Sequence, residues 1–295
     1  MIWTPWRHVK GSIGPVLNWP PIGPATPGGV TLTSSTPDAL WASQSVRLLR
    51  PAAVVCEGIS RRIRDRPVLA DLTLLVGVGA RVLLVSSPEV SASFLLRVLA
   101  GLSHVTSGTV RLAGVTRADE SAAGWARRVG YVGPEAGLYR WMSAREVLDL
   151  AGRLADYEPA ERRRRIDRLA DEYRFGPDLD EPVHRGGPAL AERVALAAAM
   201  LTDPEILLLD DPLRSVEPRE RARLLAVPGQ RRTVLIASRQ PGSEAGLVNQ
   251  VAYLKDGRLA VHAPLRELEA RGLALSQESM ETLAGLVIPR ERRSR

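Results

Sequence analysis

Three short runs with almost no polar residue inside them constrain this chain most. Ile206-Leu207-Leu208-Leu209 ends on Asp210-Asp211, Arg81 to Ser86 reads Arg-Val-Leu-Leu-Val-Ser, and Thr233 to Ser238 reads Thr-Val-Leu-Ile-Ala-Ser. A strand that is apolar at every position has no face to leave in water, so it belongs in a sheet covered on both sides. Helical patterns lie between these runs. A helix is expected from about Ser91 to Leu99, with Gly101 ending it by turning through positive φ. Residues 141–175 read as helical: Ser143 and Glu146 form a capping box, and Ile166, Leu169, Ala170 and Tyr173 give the i, i+3, i+4, i+7 apolar face of a second helix. Pro188 to Leu201 is a third helix. Val54–Cys56, Ala70–Val76, Thr109–Leu112 after the turn at Thr106-Ser107-Gly108, and Val129–Val132 are further strands. Val251–Leu254 turns at Asp256-Gly257 into Arg258–Val261. Strands alternating with helices imply an α/β fold whose mostly parallel sheet carries helices on both faces.

Composition narrows the partners. The net charge is +7, and Lys occurs only at Lys10 and Lys255 among 40 basic residues. Acidic residues lie among the arginines along the whole chain, which suits a solvated surface better than a basic stripe, so no nucleic-acid partner is expected. The run Arg162–Arg165 reads as a solvated helix face. Cys56 is the single cysteine, which excludes a disulfide framework or a cysteine metal cluster and fits a reducing compartment. No stretch approaches the roughly 18 apolar residues of a spanning helix, so membrane contact is expected through a partner or the surface. Residues 1–51 hold Pro5, Pro15, Pro20, Pro21, Pro24, Pro27 and Pro37 with Trp3, Trp6, Trp19 and Trp41. This segment is expected to be an extended or disordered leader, either a docking segment or the product of a misassigned start codon.

Five stretches, in order and at the right intervals, resemble one family. They are Leu95–Leu102 with Thr106-Ser107-Gly108, Val129-Gly130-Tyr131-Val132, Gly186-Gly187 with Glu192–Ala197, Asp203–Pro212, and Thr233–Ser238. Together they resemble the nucleotide-binding domain of ATP-binding-cassette (ABC) transporters over about residues 53–268. The resemblance implies a P-loop NTPase-like fold: a mostly parallel sheet flanked by helices, an antiparallel β part and a helical subdomain at about 135–190. It sets a domain at 52–270, followed by a C-terminal extension with a basic tail at 271–295. ATP and Mg²⁺ are the implied ligands. A membrane permease and a second ATPase subunit are the implied partners, at the inner face of the plasma membrane.

The residues that handle nucleotide in this family are largely replaced. The phosphate loop, Gly-x-x-Gly-x-Gly-Lys-Ser/Thr, falls on Ser86, Ser87, Pro88, Glu89, Val90, Ser91, Ala92 and Ser93. Glycines let backbone amides close around phosphate and the lysine neutralises its oxygens. Ala92 stands in the lysine position, which removes a charged hydrogen bond worth about 1.5–3 kcal/mol, and Glu89 brings a negative charge. Ser93 keeps the Mg²⁺-binding hydroxyl, and Asp210 keeps the metal-side aspartate. The general-base glutamate is Asp211, shorter by about 1.5 Å. Ile63 stands near the adenine-stacking aromatic position, Pro134 replaces the glutamine, and Glu217 replaces the aspartate of the loop between subunits. Arg239 replaces the switch histidine. The signature reads His184-Arg185-Gly186-Gly187-Pro188. Its two glycines at a helix N-terminus still suit a partner's nucleotide, and Arg185 is either a reaching arginine finger or a surface residue. The resemblance therefore implies a non-catalytic half paired with an intact ATPase subunit and a permease, with export preferred on the capped segment at Ser143. A nucleotide-independent scaffold or regulatory module is the alternative.

Overall fold

The computed structural model describes residues 51–227 and 232–287. The expected leader and the last residues of the basic tail lie outside these. Ten strands form two sheets. The first is antiparallel: β1 (Ala52–Ile63) lies between β2 (Arg66–Gly77) and β4 (Ser107–Leu112), with the short β5 (Val115–Thr116) at the edge. The second sheet has six strands. Its order is β10 (Arg258–Pro264), β9 (Gln250–Lys255), β3 (Arg81–Ser87), β8 (Thr233–Ala237), β7 (Ile206–Asp210) and β6 (Val129–Val132), parallel except for the β9–β10 hairpin.

The apolar runs explain this arrangement. Every residue of β7 and of β8 is buried, and period-two alternation splits their side chains between two cores. Leu83, Val85, Leu207, Leu209, Val234 and Ile236 pack with the helical part. Val82, Leu84, Ile206, Leu208 and Leu235 pack with the antiparallel sheet and with α1 (Val90–Leu99). Gly101 ends α1 at φ 77°, and Trp125 of α2 (Ala122–Arg128) stacks against it, its indole N–H donating to the Leu99 carbonyl at 2.8 Å. Asp256 and Gly257 both take positive φ at the β9–β10 turn. A side chain at Gly257 would meet the Val68 carbonyl oxygen at 2.6 Å, so the turn packs its backbone directly on β2.

The helical part comprises α3 (Ala144–Leu154), α4 (Pro159–Glu172) and α5 (Gly187–Met200). The capping box forms as expected: Glu146 N–H donates to Ser143 Oγ at 3.2 Å, and Ser143 N–H to Glu146 Oε2 at 2.8 Å. The stretch 141–175 holds two helices, as its second apolar face implies. Asp156 at φ 61° breaks it, ahead of Pro159, which starts α4 where its missing N–H costs nothing. Ile166, Leu169, Ala170 and Tyr173 are all buried. The third helix begins at Gly187, one residue before the expected Pro188.

Four of the described helices were not read from the sequence: α2, α6 (Pro218–Ala226), the short α7 (Leu265–Ala270) and α8 (Gln277–Val287). The helix α8, within the expected C-terminal extension, is part of the body of the fold, because it buries Met280, Leu283 and Ala284. Among the described residues no helix is long and apolar enough to cross a membrane.

Candidate functional site

The three apolar strands deliver their carboxyl ends to one place. A cleft of about 310 Å³ opens beyond β3, β7 and β8, lined by Ser86, Glu89, Val90, Ala92 and Ser93 from the β3–α1 junction, by Asp210 and Asp211, and by Ser238, Arg239 and Pro241. In open α/β sheets the crevice outside the carboxyl ends of the strands is where ligands bind.

The β3–α1 junction is short and self-satisfied. Strand β3 runs to Ser87 and α1 starts at Val90, leaving Pro88 and Glu89 between them. The helix begins one residue earlier than the sequence suggests, because Val90 and Ser91 carry the β-carbons that favour helix where glycines would hold a loop open. Ser86 Oγ donates to the Glu89 carbonyl at 2.9 Å and accepts from the Ala92 amide at 3.1 Å. The Ser91 amide donates to the Pro88 carbonyl at 3.2 Å. Two amides at the helix start are therefore already bonded within the chain.

Asp210 is 4% exposed, and Ser93 Oγ donates to its Oδ1 at 2.8 Å. Burial raises its carboxyl above the ordinary aspartate range; the Ser93 hydrogen bond and the positive charges of Arg239 and Arg97 oppose this, and Asp211 adds to it. Asp211 sits at φ 49°, and its amide donates to the Ala237 carbonyl at 2.8 Å. Nearby Tyr131 is pushed up to about 12 by burial and by the Asp210 charge.

Arg239 is the only basic residue among the described ones lining the cleft, facing three carboxylates. Its Nε lies 3.4 Å from Glu89 Oε2 and 3.8 Å from Asp211 Oδ2. The segment that follows it, a 3₁₀ turn at Pro241–Leu247, is pinned by a buried pair: Glu244 is bonded by Arg221 of α6 and by the Ser238 and Ser243 hydroxyls.

The residues present fit a triphosphate poorly. Among the described residues no lysine lines the cleft, a carboxylate stands at the junction, and the Ser91 and Ala92 amides are engaged. Ser93 and Asp210 are placed as a hydroxyl and a carboxylate that could share a hard cation, although no group of three or more such side chains is present among the described residues.

The structure brings Ser86, Glu89, Val90, Ala92, Ser93, Asp210, Asp211 and Arg239 together. Arg185, Gly186 and Gly187 do not line this cleft. Gly187 takes φ 69° at the start of α5, and Arg185 is exposed and bonded to Glu181 at 2.7 Å. Ile63, Pro134 and Glu217 also lie outside it. Sequence reading missed Pro241 and Gln277, which line the cleft, and Arg97 and Tyr131, which share the Asp210 field. For Gln277 a signal existed: Met280, Leu283 and Ala284 have the spacing of a helix's buried face.

Comparisons with known proteins agree with this geometry. The family model described as ABC transporter matches residues 69–214. The nickel import ATP-binding protein NikO of Rhodobacter capsulatus is 33% identical over 235 residues, covering 73% of this chain and 90% of that protein. The daunorubicin resistance ATP-binding protein DrrA3 of Streptomyces coeruleorubidus is 27% identical, covering 74% of this chain and 70% of its own length. Among solved structures, an ATP-binding subunit of an ABC transporter superposes with a TM-score of 0.69 at 22% identity, over 78% of this chain and 99% of that one. A dimeric ATP-binding cassette bound to ADP and Pi superposes with a TM-score of 0.65 at 19% identity, over 72% of this chain and 99% of that one.

Proposed function

The chain belongs to the ABC transporter family of ATP-binding proteins, and from that premise we propose that it is the non-catalytic half of a pair, working with an intact ATPase subunit and a membrane permease. The observation that carries this reading is the charge of the cleft: Glu89, Asp210 and Asp211 face the single base Arg239, and Ala92 stands where the family has lysine. A triphosphate entering would meet net negative charge and amides already bonded to Ser86 and Pro88. Hydrolysis is weak or absent on this reading. Asp211 is one methylene short of the usual base, and a misplaced general base forfeits much of a 10²–10⁴-fold contribution.

The rest of the chain keeps what a partner needs. Gly186, Gly187 and Arg185 stand at the exposed start of α5, in position to meet the intact subunit's nucleotide. The helical part exposes Trp141 (71%) and Leu150 (41%), which line one groove with Met142, and the Tyr139 and Trp141 rings lie 4.9 Å apart. Exposed apolar side chains grouped in this way mark a contact surface, and we assign it to the permease. That contact would hold the chain peripherally at the inner face of the membrane. Export is the direction we favour, on the capped segment opening at Ser143.

The test is calorimetry of Mg²⁺-ATP with the purified chain at millimolar nucleotide. The expected result is no detectable binding. A Kd below about 100 µM, lost on Ser93→Ala or Asp210→Ala, overturns the proposal. Absence of binding both alone and with the intact subunit favours the nucleotide-independent scaffold.

A further inference from the structure

Two of the replaced residues are replaced in relation to each other. Glu89 stands on the residue before α1, and its side chain makes no capping bond to that helix. Arg239 arrives from the end of β8, on the far side of the cleft. Glu89 Oε2 and Arg239 Nε are 3.4 Å apart, and the guanidinium's other carboxylate neighbour is Asp211 at 3.8 Å. The cleft has lost a cation at Ala92 and holds one at Arg239, and it has gained an anion at Glu89 that faces this cation.

We propose that the Glu89 carboxylate is an internal anion standing in for phosphate on Arg239, so that the chain's own ion pair closes the cleft to phosphate. A polyphosphate would then bind only by exchange, taking Arg239 from Glu89. This rests on the reading of the cleft as a weak nucleotide site and specifies what makes it weak. Both side chains are more than 60% exposed, and an ion pair so exposed to solvent is weak enough to be displaced. Guanidinium is the side-chain cation best matched to planar or tetrahedral oxyanions, because its fork of donors engages two oxygens at once. The neutral isostere Glu89→Gln keeps the side chain's size while removing the repelling charge and freeing Arg239.

The test uses tripolyphosphate, which carries the phosphates without the base, and in parallel Mg²⁺-ATP, each titrated by calorimetry into the full chain. Wild type, Glu89→Gln, Glu89→Gly and Glu89→Gln/Arg239→Gln are compared after urea unfolding confirms that all are folded. Glu89→Gln and Glu89→Gly are expected to bind tripolyphosphate at least about 10-fold more tightly than wild type, equivalent to about 1.4 kcal/mol. The double variant is expected to lose that gain. Equal or undetectable binding by both Glu89 variants overturns the proposal, as does a gain that survives the loss of Arg239. Tight ATP binding by the wild type would instead sink the non-catalytic reading, while the ratio of variant to wild type would still decide the role of the pair.

Discussion

The two halves of the cleft have fared differently. On the metal side, Ser93 and Asp210 keep the family's residues and their contact, 2.8 Å between Oγ and Oδ1. On the phosphate side Glu89, Ala92 and Arg239 depart from the family's pattern; Arg239 pairs with Glu89 and Asp211. The difference has a folding reason. Asp210 is a buried carboxylate at the end of the fully buried strand β7, and a buried charge needs a donor. Ser93 supplies one and ties α1 to the sheet, so this pair has work in the fold whether or not a cation binds. Glu89 and Arg239 are exposed, so their identity was free to change with the chemistry. Residues that match a family's site are therefore weak signs of activity when the fold itself uses them.

Three substitutions break or sharpen that contrast. The largest effect is expected beneath the phosphate side, at Arg221→Met, which leaves Glu244 buried without its cation. Removing one partner of a buried pair costs about 3–5 kcal/mol, read as a lower urea midpoint. A small change would mean that the segment after Arg239 is not held by this pair. Next comes Ser93→Ala on the metal side. Leaving Asp210 without its donor is expected to cost about 1–3 kcal/mol. It also has a pH signature. Because burial holds the Asp210 carboxyl above its unfolded value, stability falls as pH rises from that value through the folded one. Loss of the Ser93 hydrogen bond, which opposes burial, should move this fall to higher pH. Unfolding midpoints of both proteins across the acidic range would show it, and coincident curves would mean that Ser93 does nothing for the fold. The smallest effect is expected at Arg239→Gln, where both carboxylate contacts are loose. A change in stability beyond about 1 kcal/mol would show that the phosphate side is structural after all.

Much of this was legible in the sequence because it depended on local pattern. The runs 81–86, 205–210 and 233–238 are buried strands, and Ser143 and Glu146 cap a helix because a capping box needs only residues three apart. Gly101 and Asp256-Gly257 turn where their backbone freedom is required. What escaped was set at longer range. The helices α6 and α8 are short, and their apolar faces matter only once the sheet is there to receive them. Gln277 enters the cleft because α8 folds back on the sheet, and Tyr131 and Arg97 enter the field of Asp210 because β6 and α1 flank β7.

By itself the sequence determined the α/β class and the family, since apolar periodicity and residue identity are local properties. Only the tertiary structure decided which replacements meet. Glu89 and Arg239 are 150 residues apart in the chain and 3.4 Å apart in space, because β3 and β8 pair in parallel and bring their carboxyl ends to one edge. An ion pair of that separation leaves no trace in either segment alone, as its energy depends on distance through space and not along the chain.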